Sequence, residues 1–206
     1  MDQAVSSAET AVNALEAIDD LVEQMKGLAL SAKNDSSSTN RSKSAVQFNN
    51  FKAQLDNLAN DATYSGTNLI KGSPGNLKVT FSEDGSSTLT ISGIASDASG
   101  LSIAVAVSNW AADANVDAAI NDLDSALSTL WSTASTFGSS ASLISLRLDF
   151  VDTLISQLEA GAAKLTNADL NEESANLLTL QTRQQLGTIG LSIAQSSEQS
   201  VLRLFI

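Results

Sequence analysis

The chain has no cysteine and no histidine among its 206 residues. The first absence removes disulfides, thiolate metal sites and cysteine nucleophiles. The second removes the commonest metal ligand and the usual general base near neutral pH. Together they weigh against catalysis, leaving only carboxylate or lysine chemistry open. A single proline and 4% aromatic residues suit long uninterrupted helices, because proline breaks helix interiors. Basic residues are also scarce. Eleven Lys and Arg stand against 23 Asp and Glu, a formal net charge of −12, which argues against nucleic acid and anionic membranes as partners. Residues 1–10 have neither the basic start nor the apolar run of a signal peptide. The most apolar stretch, Leu101 to Val107, is too short to span a bilayer, so any export is expected to use a route that does not read a cleaved signal.

What is present is helical periodicity. Val5, Ala8, Val12, Leu15, Ile18, Val22, Met25 and Ala29 recur every three or four residues, one stripe of an amphipathic helix. Small polar residues from Asn34 to Ser38 favour a loop. A second helix carries Phe48, Phe51, Leu55, Leu58 and Ala62 on one face. It ends in Tyr64-Ser65-Gly66 and Lys71-Gly72-Ser73-Pro74-Gly75, the strongest break in the chain.

The period then shortens to two. Leu77, Val79 and Phe81 alternate with polar residues, as do Leu89 and Ile91, and Asp84-Gly85 between them reads as a hairpin turn. Leu101, Ile103, Val105 and Val107 predict a third strand, and strands this short need a helical face to pack on. Helix returns after Trp110, with Asp113 or Asn115 as its cap. Val116, Ile120, Leu123, Leu127, Leu130, Ala134 and Phe137 are spaced alternately by four and three. Gly138-Ser139-Ser140 interrupts that pattern, which resumes through Ile144, Leu148, Val151, Ile155, Leu158, Ala162 and Leu165. A seven-residue repeat keeps one seam facing one partner helix, and residues 5–62 offer such partners, so both seams are expected in the intramolecular core. Thr166-Asn167-Ala168-Asp169 reads as a turn or cap, with Glu172 and Glu173 suited to a helix N-terminus.

The last helix, from about Leu170 to Leu204, is different. Leu177, Leu178, Leu180, Leu186, Ile189, Leu191, Ile193, Val201, Leu202, Leu204 and Phe205 cannot share one stripe, and a helix apolar on several faces wants several neighbours. These eleven residues are the expected assembly surface, covered by other subunits.

Carboxylate pairs such as Asp19-Asp20, Asp122 with Asp124, and Glu172-Glu173 read as solvated helix faces, since adjacent helical residues do not face each other. Glu83-Asp84-Gly85 is turn chemistry, and Lys71 to Gly75 lacks the ending of a phosphate loop. Trp110 and Trp131 are expected as packing anchors. No cofactor, metal or catalytic residue is expected. The serine and threonine clusters at 36–39 and 132–140 read as plain exposed loop.

Asn176-Leu177-Leu178-Thr179-Leu180-Gln181-Thr182-Arg183-Gln184-Gln185-Leu186-Gly187, followed by Val201-Leu202-Arg203-Leu204-Phe205, resembles the C-terminal signature of bacterial flagellins, especially the short flagellins of alphaproteobacteria. Residues 163–175 resemble the family's link between core domains, and residues 21–32 its N-terminal helix. Ala62 to Gly72 is similar to its Thr-x-Phe-Asn-Gly-x-x-Leu-Leu-x-Gly turn, with Tyr64 and Ser65 in place of Phe and Asn. Only the middle, about residues 73–107, is unassigned.

The resemblance implies a mainly α fold: an elongated antiparallel helical bundle with a small β-hairpin appendage and a C-terminal assembly helix. The expected parts are residues 1–72 and 110–165 as the two halves of an outer core domain, 73–109 as the β region and 166–206 as the assembly helix. It implies a structural subunit of the extracellular flagellar filament, exported through the flagellar type III apparatus. Expected partners are other flagellin subunits, an export chaperone on the C-terminal helix, and hook-associated and cap proteins. Flagellins also begin with a further helix, so the chain is expected to be truncated or processed and to polymerise poorly without that helix. The innate-receptor pattern Gln-Arg-Val-Arg-Glu-Leu-Ala falls on residues 23–29. Leu28 is kept, but Gln24 stands where an arginine is expected, which argues against receptor activation. The alternatives are the hook–filament junction protein, which shares both terminal patterns, and a non-catalytic secreted helical binding module.

Overall fold

The computed structural model describes residues 2–166 and 170–204 of the chain. Four helices and one hairpin follow one another: α1 (Asp2–Lys33), α2 (Ser38–Asp61), β1 (Leu77–Thr80), β2 (Thr88–Ile91), a short turn at Val107–Trp110, α3 (Asp113–Thr166) and α4 (Leu170–Leu204). They form two compact units, Met1–Asp152 and Thr153–Ile206.

In the first unit the predicted stripe of α1 is the core stripe. Ala8, Ala11, Leu15, Ile18, Val22, Met25 and Ala29 are buried, and each large side chain removed from water contributes roughly 1.5–3 kcal/mol. The loop after Lys33 is short because its polar side chains close it. The Asp35 carboxylate accepts from the Ser37 amide at 2.8 Å and from the Asn40 side chain at 3.0 Å, and these bonds, the amide first, hold its pKa below the usual carboxylate range. Ser37 then caps α2 by accepting from the Asn40 amide. That satisfies a donor every helix N-terminus leaves free.

Past α2 the backbone is organised by one buried amide, Asn68. Its Nδ2 donates to the Ala59 carbonyl at 2.8 Å and the Asn60 carbonyl at 3.1 Å. Its Oδ1 accepts from the Ile70 and Lys71 amides, both at 2.9 Å. One side chain therefore ties off the carbonyl end of α2 and shapes the turn that follows. β1 and β2 pair antiparallel with Leu77 opposite Ile91 and Val79 opposite Leu89; Val79 and Ile91 are buried. In the connecting turn Gly85 takes a φ of +72°, the left-handed region glycine enters without steric cost. The Ser82 hydroxyl, with the Ser86 amide and hydroxyl, lowers the Asp84 pKa to about 2.

The expected third strand is absent. Residues 97–103 instead close a compact turn, Leu101 donating to the Asp97 carbonyl and Ile103 to the Ala98 carbonyl. The alternation also fails at its second half, since Val105 is exposed and Ala106 is buried. This segment runs back along α2: the Ala98 amide donates to Asp56 and the Ala106 amide to Asn49, both at 2.9 Å. It ends in a left-handed turn, with positive φ at Ser108, Asn109 and Trp110, that seats the Trp110 indole on the Phe48 ring, centroids 5.0 Å apart. Trp110 is thus the expected anchor and is fully buried.

α3 is one continuous helix through Gly138, where a break was expected. Glycine costs about 1 kcal/mol there relative to alanine, and buried Phe137 and Ala141 on either side outweigh that cost. Salt bridges Lys26–Asp124 and Lys33–Asp117, both 2.6 Å, show that α3 runs antiparallel to α1, because an advance along one helix is matched by a retreat along the other. Val116, Leu123, Leu130, Phe137 and Ile144 are buried, with Ile120, Leu127 and Ala134 packed beside them. Beyond Ile144 the second seam departs from expectation. Leu148 and Val151 are half-buried, while Ile155, Leu158, Ala162 and Leu165 are exposed. The pattern is present, but its partner is not among the described residues.

Candidate assembly surface

α4 is helical from Leu170 to Leu204, and every described side chain on it, residues 172–203, is exposed. Leu177, Leu178, Leu180, Leu186, Ile189, Leu191, Ile193, Val201 and Leu202 are each 53–67% exposed; only the helix's own turns screen the remainder. Leu177, Leu178, Leu186 and Leu180 stand at roughly 0°, 100°, 180° and 300° around the axis at 3.6 residues per turn. The structure therefore places the expected residues on one helix but not on one face. Leu204 ends that helix, and its side chain and Phe205 lie outside the described residues, as does the turn expected at Asn167 to Asp169.

The end of α3 adds a further exposed apolar surface, in which Ile155, Leu158 and Leu165 belong to the seam expected in the core and the rest to no expected surface. Leu143, Leu146, Phe150 and Leu154 are exposed, as are Ile155, Leu158 and Leu165, the last 90% so. The first four are spaced three, four and four, a second stripe beside the Ile144 seam. That doubled stripe was the available signal, the same one that marks α4.

Trp131 is the other correction. Expected as a packing anchor, it is 79% exposed. With Val12, Glu16, Asp19, Asp20 and Ala134 it lines a groove of about 590 Å³ between α1 and α3. Burial, then the charges of Glu23 and Asp20, raise the Asp19 pKa above the ordinary carboxylate value. A carboxyl that holds its proton more tightly when folded destabilises the fold as pH rises past its unfolded value, and the full penalty stands at neutral pH. Asp19→Asn is accordingly expected to raise the melting temperature by about 1 °C at pH 7 and low salt, from a few tenths of a kcal/mol of relieved burial penalty and repulsion. The gain should vanish as pH falls toward 3. A calorimetric pH series on both proteins measures it.

Gln24 is exposed, and Leu28 is half-buried against the core of α1. Among the described residues no group of three or more His, Cys, Asp or Glu side chains could hold a metal ion. No helix there is long and apolar enough to cross a membrane.

Comparison with known proteins accounts for this arrangement. Residues 2–74 match the bacterial flagellin N-terminal helical region and residues 114–205 the bacterial flagellin C-terminal helical region; the hairpin and the returning segment lie between them. Flagellin FljM of Caulobacter vibrioides is 34% identical over 208 residues, covering 97% of this chain and 73% of the relative. The flagellin of Brucella melitensis is 32% identical over 207 residues, covering 96% and 73%. Flagellin A of Rhizobium meliloti is 50% identical over 62 residues, 30% of this chain and 16% of the relative. The crystal structure of Bacillus cereus flagellin shares the fold, with a TM-score of 0.62 over 78% of this chain and 92% of that one at 21% identity. A bare apolar helix and two matched terminal regions thus lead to one conclusion: the chain belongs to the bacterial flagellins, the non-catalytic, self-assembling structural subunits of the extracellular flagellar filament.

Proposed function

We propose that this flagellin joins its filament through α4 and the exposed stripes at the end of α3, with other copies of the chain covering both. The observation that carries this reading is the exposure of nine Leu, Ile and Val side chains on all sides of α4. Covering what remains accessible of each contributes about 1–2 kcal/mol, on the order of 10 kcal/mol in all before association costs are charged. No single partner helix reaches every face, so α4 sits among several neighbours. The same surface needs cover before assembly, which supports an export chaperone bound to α4. Hook-associated and cap proteins meet the subunits at the two ends of the filament. The absence of arginine at position 24 argues against activation of the innate receptor.

Leu186→Gln and Leu202→Gln test the reading. Both side chains are already in water in the free chain, so its thermal melt should stay within about 1 °C of the unaltered protein. Filaments sheared from cells carrying either variant as the sole flagellin should be lost or severely shortened. Normal filament length in both variants would refute the assignment of α4.

A further inference from the structure

We propose that the groove beside Trp131 receives the outward face of α2 from a second copy of the chain, Lys43 meeting Glu16, Asp19 and Asp20 while Val46 lies against the indole. The inference rests on the filament reading above and names one contact within it.

Charge is distributed unevenly between the first two helices. α1 carries Asp2, Glu9, Glu16, Asp19, Asp20 and Glu23 before its first basic residue, Lys26. α2 carries Arg41, Lys43 and Lys52 before its first acidic residue, Asp56. Arg41 is engaged within the chain by Asp113 at 2.7 Å, whereas Lys43 is exposed on the outer side of α2. Val46, 55% exposed, lies three residues on, and residues at that spacing are neighbours on a helix surface. The groove offers the matching pair: an exposed indole on α3 and carboxylates on α1. Indole and ammonium also attract directly through the ring face. A cation held there offsets the repulsion that Glu23 and Asp20 exert on Asp19.

The two surfaces differ, and this bears on symmetry. A contact between unlike patches of identical subunits is heterologous, and when it does not close into a ring it extends into an open helical polymer. An acidic groove on α1 and α3 with a basic ridge on α2 therefore suits a filament better than an isolated dimer. In subunits that each carry a charge of −12, such a contact also sets opposite signs together where repulsion would otherwise prevail.

The chain's lack of cysteine makes the test clean. The double variant Asp20→Cys, Lys43→Cys is expressed as the sole flagellin, and sheared filaments are oxidised and run on a non-reducing gel. A ladder of covalent dimers and higher oligomers, missing from each single variant, is the expected result. Double-variant filaments that run as monomer overturn the contact and leave the filament reading intact. If the double variant makes no filaments, Asp20→Lys and Lys43→Asp decide: swimming lost in each alone and restored together supports the contact, and no restoration overturns it. Absence of filaments from the unaltered gene removes the filament reading and this contact with it.

Discussion

Phe48→Ala should destabilise the first unit by about 3–5 kcal/mol, the range for truncating a fully buried aromatic side chain. Phe48 is fully buried on α2 and stacks at a tilt of 59° on Trp110. That contact fixes the returning segment, because the turn ending at Trp110 holds three consecutive residues, Trp110 included, at positive φ. Such strain persists only where packing determines it. The alanine variant loses the ring's own burial and also the surface that keeps the turn in place. In a domain of this size the loss corresponds to about 6–20 °C of melting temperature, readable by circular dichroism. Near-ultraviolet spectra should also show the Trp110 signal collapse while Trp131, already in solvent, is unchanged. A shift below 2 °C would contradict the assigned core.

Asn68→Ala should cost about 2–4 kcal/mol, almost none of it hydrophobic. The side chain makes four short hydrogen bonds in a buried position, and removing it strands two carbonyls and two amides, the expensive direction of loss. Asn68→Asp separates the two halves of that role. Aspartate can still accept from the Ile70 and Lys71 amides, but it cannot donate to the Ala59 and Asn60 carbonyls when ionised. Protonation restores a donor in the folded state, so the aspartate variant should recover part of its stability as pH falls from 7 toward the ordinary carboxylate value. Urea midpoints at pH 7 and pH 4 for the three proteins measure both effects. Equal behaviour of the alanine and aspartate variants at both pH values would remove the acceptor role.

Much of this molecule is legible before any coordinates are drawn. The stripes of α1 and α2 and the spacing from Val116 to Phe137 announce their helices, because apolar residues at heptad spacing leave few other solutions. The hairpin is equally plain from Leu77 to Ile91. What escaped follows from one limitation: periodicity records that a face seeks cover without recording which molecule supplies it. The seam from Ile155 to Leu165 carries the same signal as that from Val116 to Phe137, yet the latter lies against α1 and the former is exposed. Trp131 fails for the same reason, since an indole suits a core and a contact surface equally well. The lost strand at Leu101 to Val107 has a different cause. Four alternating residues suffice to suggest a ladder, but here the Leu101 and Ile103 amides donate to the Asp97 and Ala98 carbonyls and close a turn instead. Asn68 left no trace in the pattern, because a lone buried amide is defined only by the backbone it gathers.

The bare state of α4 also governs how long a subunit lasts. A helix with no tertiary cover opens at almost no free-energy cost, and an opened backbone is what a protease requires. Arg183 and Arg203 lie along this uncovered helix, each a cleavage point for a trypsin-like enzyme. A subunit docked through α4 as proposed would withdraw both into the polymer; one that has strayed presents them continuously. On the proposed docking, turnover would discriminate between copies that found a neighbour and copies that did not, using only the exposure of one helix.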